Sequence, residues 1–418
     1  MLQSARVVIV GAGPAGLMAA ISAARAGAVV TVLEKLPEAG VRLLATGGGH
    51  CNFTNTLETG ELIRRYGGKN RFVAPALRGL TGIGLRHFMD DIRVVSTAVD
   101  GFHVFPVSNS AVMVRAALVR LCRDAGAELM FGSNVTDLRI DSGRISGVTV
   151  SGRMEAATAV VLSAGGASYP KLGGGDGGFS LARKAGHQIV PVCPALVPLV
   201  TRESWPSKLA GIVIPNTTIR LASEPSRGTG LAVGSLLFTH RGISGPAVLD
   251  ISGEAGAVLM RERSVELIVD LTPSRSVESW KADFESWRKK HGTRSVLSLM
   301  KTVFPVAVAN ELLDLTGVPP ERQMARISRE QVHAVVKSAK TLQLTITGTE
   351  GFDKAMVTRG GVSLDDVNPK TLESRIVHGL CFAGEVLDVD GPCGGYNLQW
   401  AFSSGFLAGR SAAKHAVC

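Results

Sequence analysis

The chain opens on an uninterrupted apolar run, Val7-Val8-Ile9-Val10. It breaks at Gly11-Ala12-Gly13-Pro14-Ala15-Gly16 and gives way to a helical pattern as far as Arg25. A run this short and continuous reads as a buried parallel strand. Pro14 suits the first turn of a helix and Gly27 ends it. A second apolar run, Val29 to Leu33, closes on Glu34. Farther on, residues 111–125 have amphipathic helical spacing, and 132–138, 145–150 and 159–163 read as strands. The texture changes near His187. Ile189 to Val200, Ile212 to Leu221, Leu231 to Phe238 and Val265 to Leu271 are short β-rich runs broken by Pro, Gly and Ser, the mark of an inserted antiparallel domain. Helical patterns follow at 277–290, 296–302, 307–315 and 329–340, with a break at Pro319-Pro320, and strand-like sequence returns at 342–347. A last apolar run, Ile376 to Ala383, ends in Gly384-Glu385 and leads through glycine-rich sequence into a helix from Asn397. The pattern predicts an α/β fold in three parts: a discontinuous nucleotide-binding domain (1–190 and 342–418), an inserted β-rich domain (191–275) and a small helical domain (276–341).

The opening strand–turn–helix–strand–acid unit carries chemistry. Gly11 permits the tight turn, Gly13 removes a Cβ where backbone meets a pyrophosphate, and Gly16 lets helix and strand pack closely. The helix start is an anion site, and Glu34 stands where a carboxylate accepts ribose hydroxyls. An acid there selects an unphosphorylated ribose, as in NAD or the adenosine half of FAD. The distant Gly384-Glu385 segment selects FAD: Glu385 suits a ribityl hydroxyl, and the helix from Asn397 aims its free N–H groups at the flavin N1 and O2. Two loops complete the expected site. Gly47-Gly48-Gly49 form a backbone-donor nest beside Arg42, a candidate pyrophosphate partner. The small-residue turn Ala164-Gly165-Gly166 lets chain pass close to FAD. The glycines at 173–178 follow no dinucleotide-type strand, so a separate NAD(P)H domain is not expected, and dioxygen is the expected electron acceptor.

With 418 residues, 45% hydrophobic and 19% charged, the chain supports two or three cored domains. No apolar run nears the ~20 residues of a membrane span. The first strand begins too early to follow a cleavable signal, so a cytoplasmic enzyme is expected. Net charge is +10, yet aromatics are only 5% and no Lys/Arg block is interleaved with them. The basic balance is therefore read as attracting anionic small molecules, with a nucleic-acid partner not expected. The cysteines at 51, 122, 193, 381, 393 and 418 have no zinc spacing, and no metal is expected; Cys51 and Cys393, both in glycine-rich loops, are the two with a conceivable redox role.

Long segments of the chain resemble a family of bacterial flavoproteins that includes aminoacetone oxidase and the flavoprotein of bile-acid dehydroxylation. They are GAGPAG, LLATGGGHCNFTN, FPVSNSA, AGGASYP, PALVPL, LLFTHRGISGPAVLDIS, VTRGGVSLDDVNPKTLESR and GLCFAGEVLDVDGPCGGYNLQWAFSSG. The resemblance covers nearly the whole length. It implies a glutathione-reductase-type FAD-binding Rossmann domain carrying the two inserts, and FAD contacts at Gly13, Ala15, Glu34, Lys35, Arg42, Val135, Glu385, Asn397 and Leu398. Family members commonly carry a basic residue at position 41 and Arg at position 50, where this chain has Val41 and His50. The expected activity is oxidation of a small organic substrate, an amine being the first candidate, by hydride transfer to FAD. NAD(P)H-dependent flavin reduction and an RNA-associated flavoprotein are the alternatives. His240, in Thr239-His240-Arg241-Gly242, is the general-base candidate.

Overall fold

A computed structural model describes residues 4–222 and 230–415; Cys418 lies outside them. The chain divides into two compact units. One runs to Pro194 and resumes at Phe352; the other is Ala195–Gly351.

The first unit is built on a five-stranded parallel sheet ordered Leu380–Phe382, Ala159–Leu162, Arg6–Val10, Val29–Leu33, Glu128–Met130. The strand at the chain's end thus joins the same sheet as the strand at its start, with Ala159–Leu162 between them. The helix Pro14–Arg25 is buried along most of its length because its residues are small, Ala15, Gly16, Ala19, Ala20 and Ala23 among them. The C-terminal helix Tyr396–Ala412 packs on it through a matching small-residue face. A Cβ at Gly405 would land on the Ala15 carbonyl oxygen, and one at Gly409 on that of Ala19, so the two backbones meet at a four-residue repeat. Ser22 Oγ donates to the Phe406 carbonyl at 2.8 Å along the same seam. Two three-stranded antiparallel sheets (Thr54–Asn55 with His103–Pro106 and Ser96–Val99, and Val135–Asp141 with Arg144–Val150 and Arg153–Ala156) and a two-stranded pairing of Ile189–Ala195 with Val357–Val362 accompany the parallel sheet.

The second unit is a closed six-stranded antiparallel barrel: Leu199–Thr201, Gly242–Ser244, Leu231–Thr239, Val213–Leu221, Val265–Asp270 and Leu342–Thr349. The sequence places residue 342 in the nucleotide-binding domain. In the structure Leu342–Thr349 is the closing barrel strand, paired with Val265–Asp270 on one side and Leu199–Thr201 on the other. Nor do residues 276–341 form a core of their own: Trp280, Phe284, Leu312 and Val335 share one apolar cluster with barrel residues Ile219, Leu236 and Leu267. The helix Pro246–Leu259 stands inside the stretch expected to be β-rich. The run Ile189 to Val200 divides into Ile189–Ala195, which ends at the unit boundary, and Leu199–Thr201 in the second unit.

Candidate functional site

Glu34 follows the strand Val29–Leu33 and is almost wholly buried. Its Oε2 accepts the Ala12 N–H at 2.7 Å and its Oε1 accepts the Leu36 N–H at 2.9 Å. The carboxylate therefore ties the glycine turn to the end of the second strand, and the Gly11 N–H adds a bond to the Leu33 carbonyl at 2.8 Å. Gly11 adopts φ 97°, a conformation that costs a glycine little. A Cβ at Gly16 would land on the Gly11 carbonyl oxygen, so only glycine fits there. Gly13 differs: a Cβ there would meet nothing within 4 Å. The turn is packed on the protein side and bare at Gly13, the one face a pyrophosphate needs.

Gly384 brings the chain's far end to this turn. A Cβ on it would stand 2.8 Å from that of Ala15. Its N–H donates to Ser404 Oγ at 2.9 Å, and its carbonyl accepts Trp400 Nε1–H at 3.1 Å, which fixes it to the C-terminal helix. Glu385 accepts the Thr358 N–H at 2.7 Å, the Gly166 N–H at 3.2 Å and Arg42 Nη1–H at 3.3 Å. Arg42 also donates to the carbonyls of Gly166 at 3.2 Å and Ala164 at 3.3 Å. Its guanidinium fills the space that a Cβ on Gly165 would need. Arg42, Gly165 and Glu385, far apart in sequence, are thus one cluster. Asn397 clamps the preceding loop: its Oδ1 accepts the Gly391 N–H at 2.8 Å and its Nδ2 donates to the Gly391 and Pro392 carbonyls at 2.9 and 3.3 Å. Leu398 packs against the core, Val135 is buried at the start of its strand, and Lys35 is exposed beside Glu34. Gly47 lies in a kinked pair of tight turns, Val41–Gly49, where Gly47 and Gly48 both have positive φ. His50, at the position expected to carry Arg, is exposed and bonds the Asn109 carbonyl at 3.0 Å. His240 belongs to the other unit, exposed in the turn between Leu231–Thr239 and Gly242–Ser244.

One feature of the first unit is not flagged by motif reading. Lys69 Nζ sits 2.9 Å from Asp388 Oδ1 and 2.6 Å from Asp390 Oδ1, and Arg359 Nη1 is 3.3 Å from Asp390 Oδ2. Burial works to raise the Asp390 carboxyl, but the Lys69 ammonium and the Arg359 guanidinium outweigh it and hold it below its ordinary range. The sequence shows the two acids; only the fold brings Lys69 to them.

Cys51 is fully buried, and burial pushes its thiol up to about 12 against a hydrogen bond with Thr46. A thiol so shifted has almost no thiolate at neutral pH, which removes the basis for a Cys51 redox couple. Iodoacetamide at mildly alkaline pH should therefore leave Cys51 unlabelled in the native protein and label it on unfolding, as read by peptide mass spectrometry. Rapid native labelling would contradict this environment.

A parallel sheet with a glycine turn, an acid at the second strand and a returning C-terminal strand and helix defines an FAD-dependent oxidoreductase. The HI0933-like protein Rossmann domain matches residues 5–411, and the chain belongs to that family. A 3-dehydro-bile acid delta(4,6)-reductase of Clostridium scindens is 33% identical over 413 residues, which is 98% of this chain and 99% of that protein. A ribosomal RNA dihydrouridine synthase of Haemophilus influenzae is also 33% identical, over 425 residues, with 98% and 99% covered. In architecture the chain is similar to the open conformation of a flavocytochrome c3 fumarate reductase, with a TM-score of 0.51 at 18% identity over 99% of this chain and 78% of that one. The cofactor is FAD, and the bare Gly13 face fits it. No helix among the described residues is long and apolar enough to cross a membrane.

Proposed function

We propose that the protein reduces a carbon–carbon double bond conjugated to a carbonyl group. The observation that carries the redox class is the meeting of the two chain ends in one unit, with Ala15 against Gly384 and Glu34 locking the turn between them. The direction comes from the relatives. Two full-length matches carry names that describe saturation of such a bond, one in a bile acid and one in the uracil ring of ribosomal RNA. When bound, FAD supplies two-electron hydride chemistry.

The chain's own residues have the following roles in this reading. Gly13, Ala15 and Gly16 present backbone N–H groups at the helix start to the pyrophosphate, while Gly11, its own N–H held by the Leu33 carbonyl, shapes the turn. Each Glu34 oxygen keeps a lone pair beyond its backbone bond and takes the ribose hydroxyls, with Lys35 alongside. Arg42 and Glu385 balance each other's charge, and Glu385 turns a remaining lone pair to the ribityl chain. Gly384, Gly47, Gly165 and Val135 allow close approach, and Asn397 and Leu398 hold the C-terminal helix start toward the ring. The sequence's candidate for proton movement is His240. Saturating the bond takes one hydride and one proton, with the electrons drawn from an external reductant.

The Haemophilus influenzae relative supports a second substrate reading, against the sequence's expectation of no nucleic-acid partner, in which the double bond is that of a uridine within RNA; the net charge of +10 is compatible with it. One experiment addresses both. Holoenzyme reduced with dithionite under anaerobic conditions is mixed with a 4-ene-3-keto steroid or with a ribosomal RNA fragment. The expected result is return of the yellow flavin absorbance with a product heavier by two hydrogens. If dioxygen alone restores the colour, the reductase reading fails and oxidation of a small substrate, as expected from sequence, takes its place.

A further inference from the structure

We propose that Glu373, His378 and His415 form a site for a divalent transition metal, best suited to Zn2+, which fastens the end of the C-terminal helix to the segment entering the strand Leu380–Phe382. This departs from the sequence, which offers no Cys/His pair at zinc spacing. Two of the ligands, at 373 and 378, lie in an irregular segment, and the third follows the helix Tyr396–Ala412, so only the fold assembles them.

The geometry is close to that of a three-ligand zinc site. His378 Nδ1 is 2.9 Å and His415 Nε2 is 3.4 Å from Glu373 Oε1. The three ligand atoms all lie within 4.8 Å of one another. Tetrahedral zinc with bonds of about 2.0–2.2 Å to nitrogen and oxygen needs ligand atoms roughly 3.4 Å apart. The Glu373–His415 edge already meets this; the Glu373–His378 edge is shorter and the His378–His415 edge is at most 4.8 Å, so the exposed His378 ring must shift for all three to bind one ion. Two imidazoles and one carboxylate suit borderline metals better than Ca2+ or Mg2+, which prefer all-oxygen sets. Three protein ligands leave a fourth position for water.

The backbone around the ligands is held. Gly379 N–H donates to Glu373 Oε1 at 2.9 Å, a bond to the ligating carboxylate from outside the metal's shell. The His378 N–H donates to the Gly143 carbonyl at 2.9 Å and the His415 N–H to that of Ala412 at 3.1 Å. The His415 side chain is 12% exposed and that of His378 48%, so the site opens to solvent on the His378 side. The nearby Arg144 cation opposes metal binding, and imidazole–carboxylate hydrogen bonds alone would also draw the three groups together; the test separates these cases.

Full-length holoenzyme without a histidine tag is treated with chelator and titrated with Zn2+ and, separately, Co2+. One Zn2+ should bind per chain and raise the unfolding temperature with zinc concentration. Co2+ should give visible bands of tetrahedral character to the red of the flavin absorption. His378→Ala and His415→Ala should each weaken Zn2+ binding by at least about tenfold while keeping the flavin spectrum, which shows that the chain is folded. His378→Asn serves if the alanine variant is unstable. Absence of a single binding site in the parent, or equal Zn2+ affinity in the parent and the double variant, would overturn the proposal. Neither outcome bears on the reductase reading.

Discussion

Gly405→Ala is expected to lower the unfolding temperature by several degrees and to release part of the FAD. The new methyl group would land on the Ala15 carbonyl oxygen, a backbone atom in the first turn of the helix Pro14–Arg25. No flexible side chain is there to give way, so one helix must move off the other. Overpacking of this kind costs about 1–3 kcal/mol. At roughly 2–4 °C per kcal/mol for a domain of this size class, the shift is readily measured. The displaced element carries Gly13 and Ala15, so the flavin-to-protein absorbance ratio should fall with stability. Gly60→Ala is the matched control. Gly60 lies in the helix Thr59–Arg64, and a Cβ there would meet nothing within 4 Å, so that change should be neutral or slightly stabilising. Equal effects from the two substitutions would refute the account of the helix seam.

The same seam shows what the sequence makes legible. Val7–Val10, the glycine turn and Glu34 can be read directly because each residue acts on neighbours close in the chain: a strand, its turn, its helix and the next strand. The helices expected at 277–290 and 329–340 are legible for a similar reason, since apolar spacing acts within one element; the structure adds their caps, Ser276 and Ser328, whose side chains accept N-terminal amides. Long-range closure is not legible in this way. Whether Leu342–Thr349 returns to the parallel sheet or closes a barrel depends on its partners Val265–Asp270 and Leu199–Thr201, and its β-rich pattern is the same in both cases. The helix Pro246–Leu259 hides behind Ser252, Gly253 and Gly256, which read as loop punctuation but are buried against the barrel. The apolar run Ile376 to Ala383 shrinks to a three-residue strand because the N–H groups of Ile376 and Val377 are taken by Ser374 Oγ. For the site, motif reading finds Arg42 and Glu385 as separate cofactor contacts; their pairing across the Gly165 turn is a tertiary fact.

Glu34→Gln is expected to lose FAD nearly as readily as Glu34→Ala, which separates two roles for this carboxylate. If Glu34 served only to bond ribose hydroxyls, a glutamine would keep an acceptor, add a donor and preserve much of the affinity. The structure gives the side chain a second task. Both oxygens accept backbone N–H groups, from Ala12 and Leu36, in a position only 8% exposed. An amide has one acceptor oxygen, so its NH2 must face one of those N–H groups. One charge-assisted bond, worth about 1.5–3 kcal/mol, is lost and a donor is left unsatisfied. The Ala12 amide belongs to the glycine turn itself, so its disturbance reaches the bare Gly13 face. At about 1.4 kcal/mol per factor of ten, FAD affinity should fall at least about tenfold in both variants. Apoprotein prepared by acid release and titrated with FAD, followed by quenching of flavin fluorescence, measures the constants. A glutamine variant that binds FAD as tightly as the parent, beside an alanine variant that does not, would show that the backbone lock is dispensable and that Glu34 acts on the ribose alone.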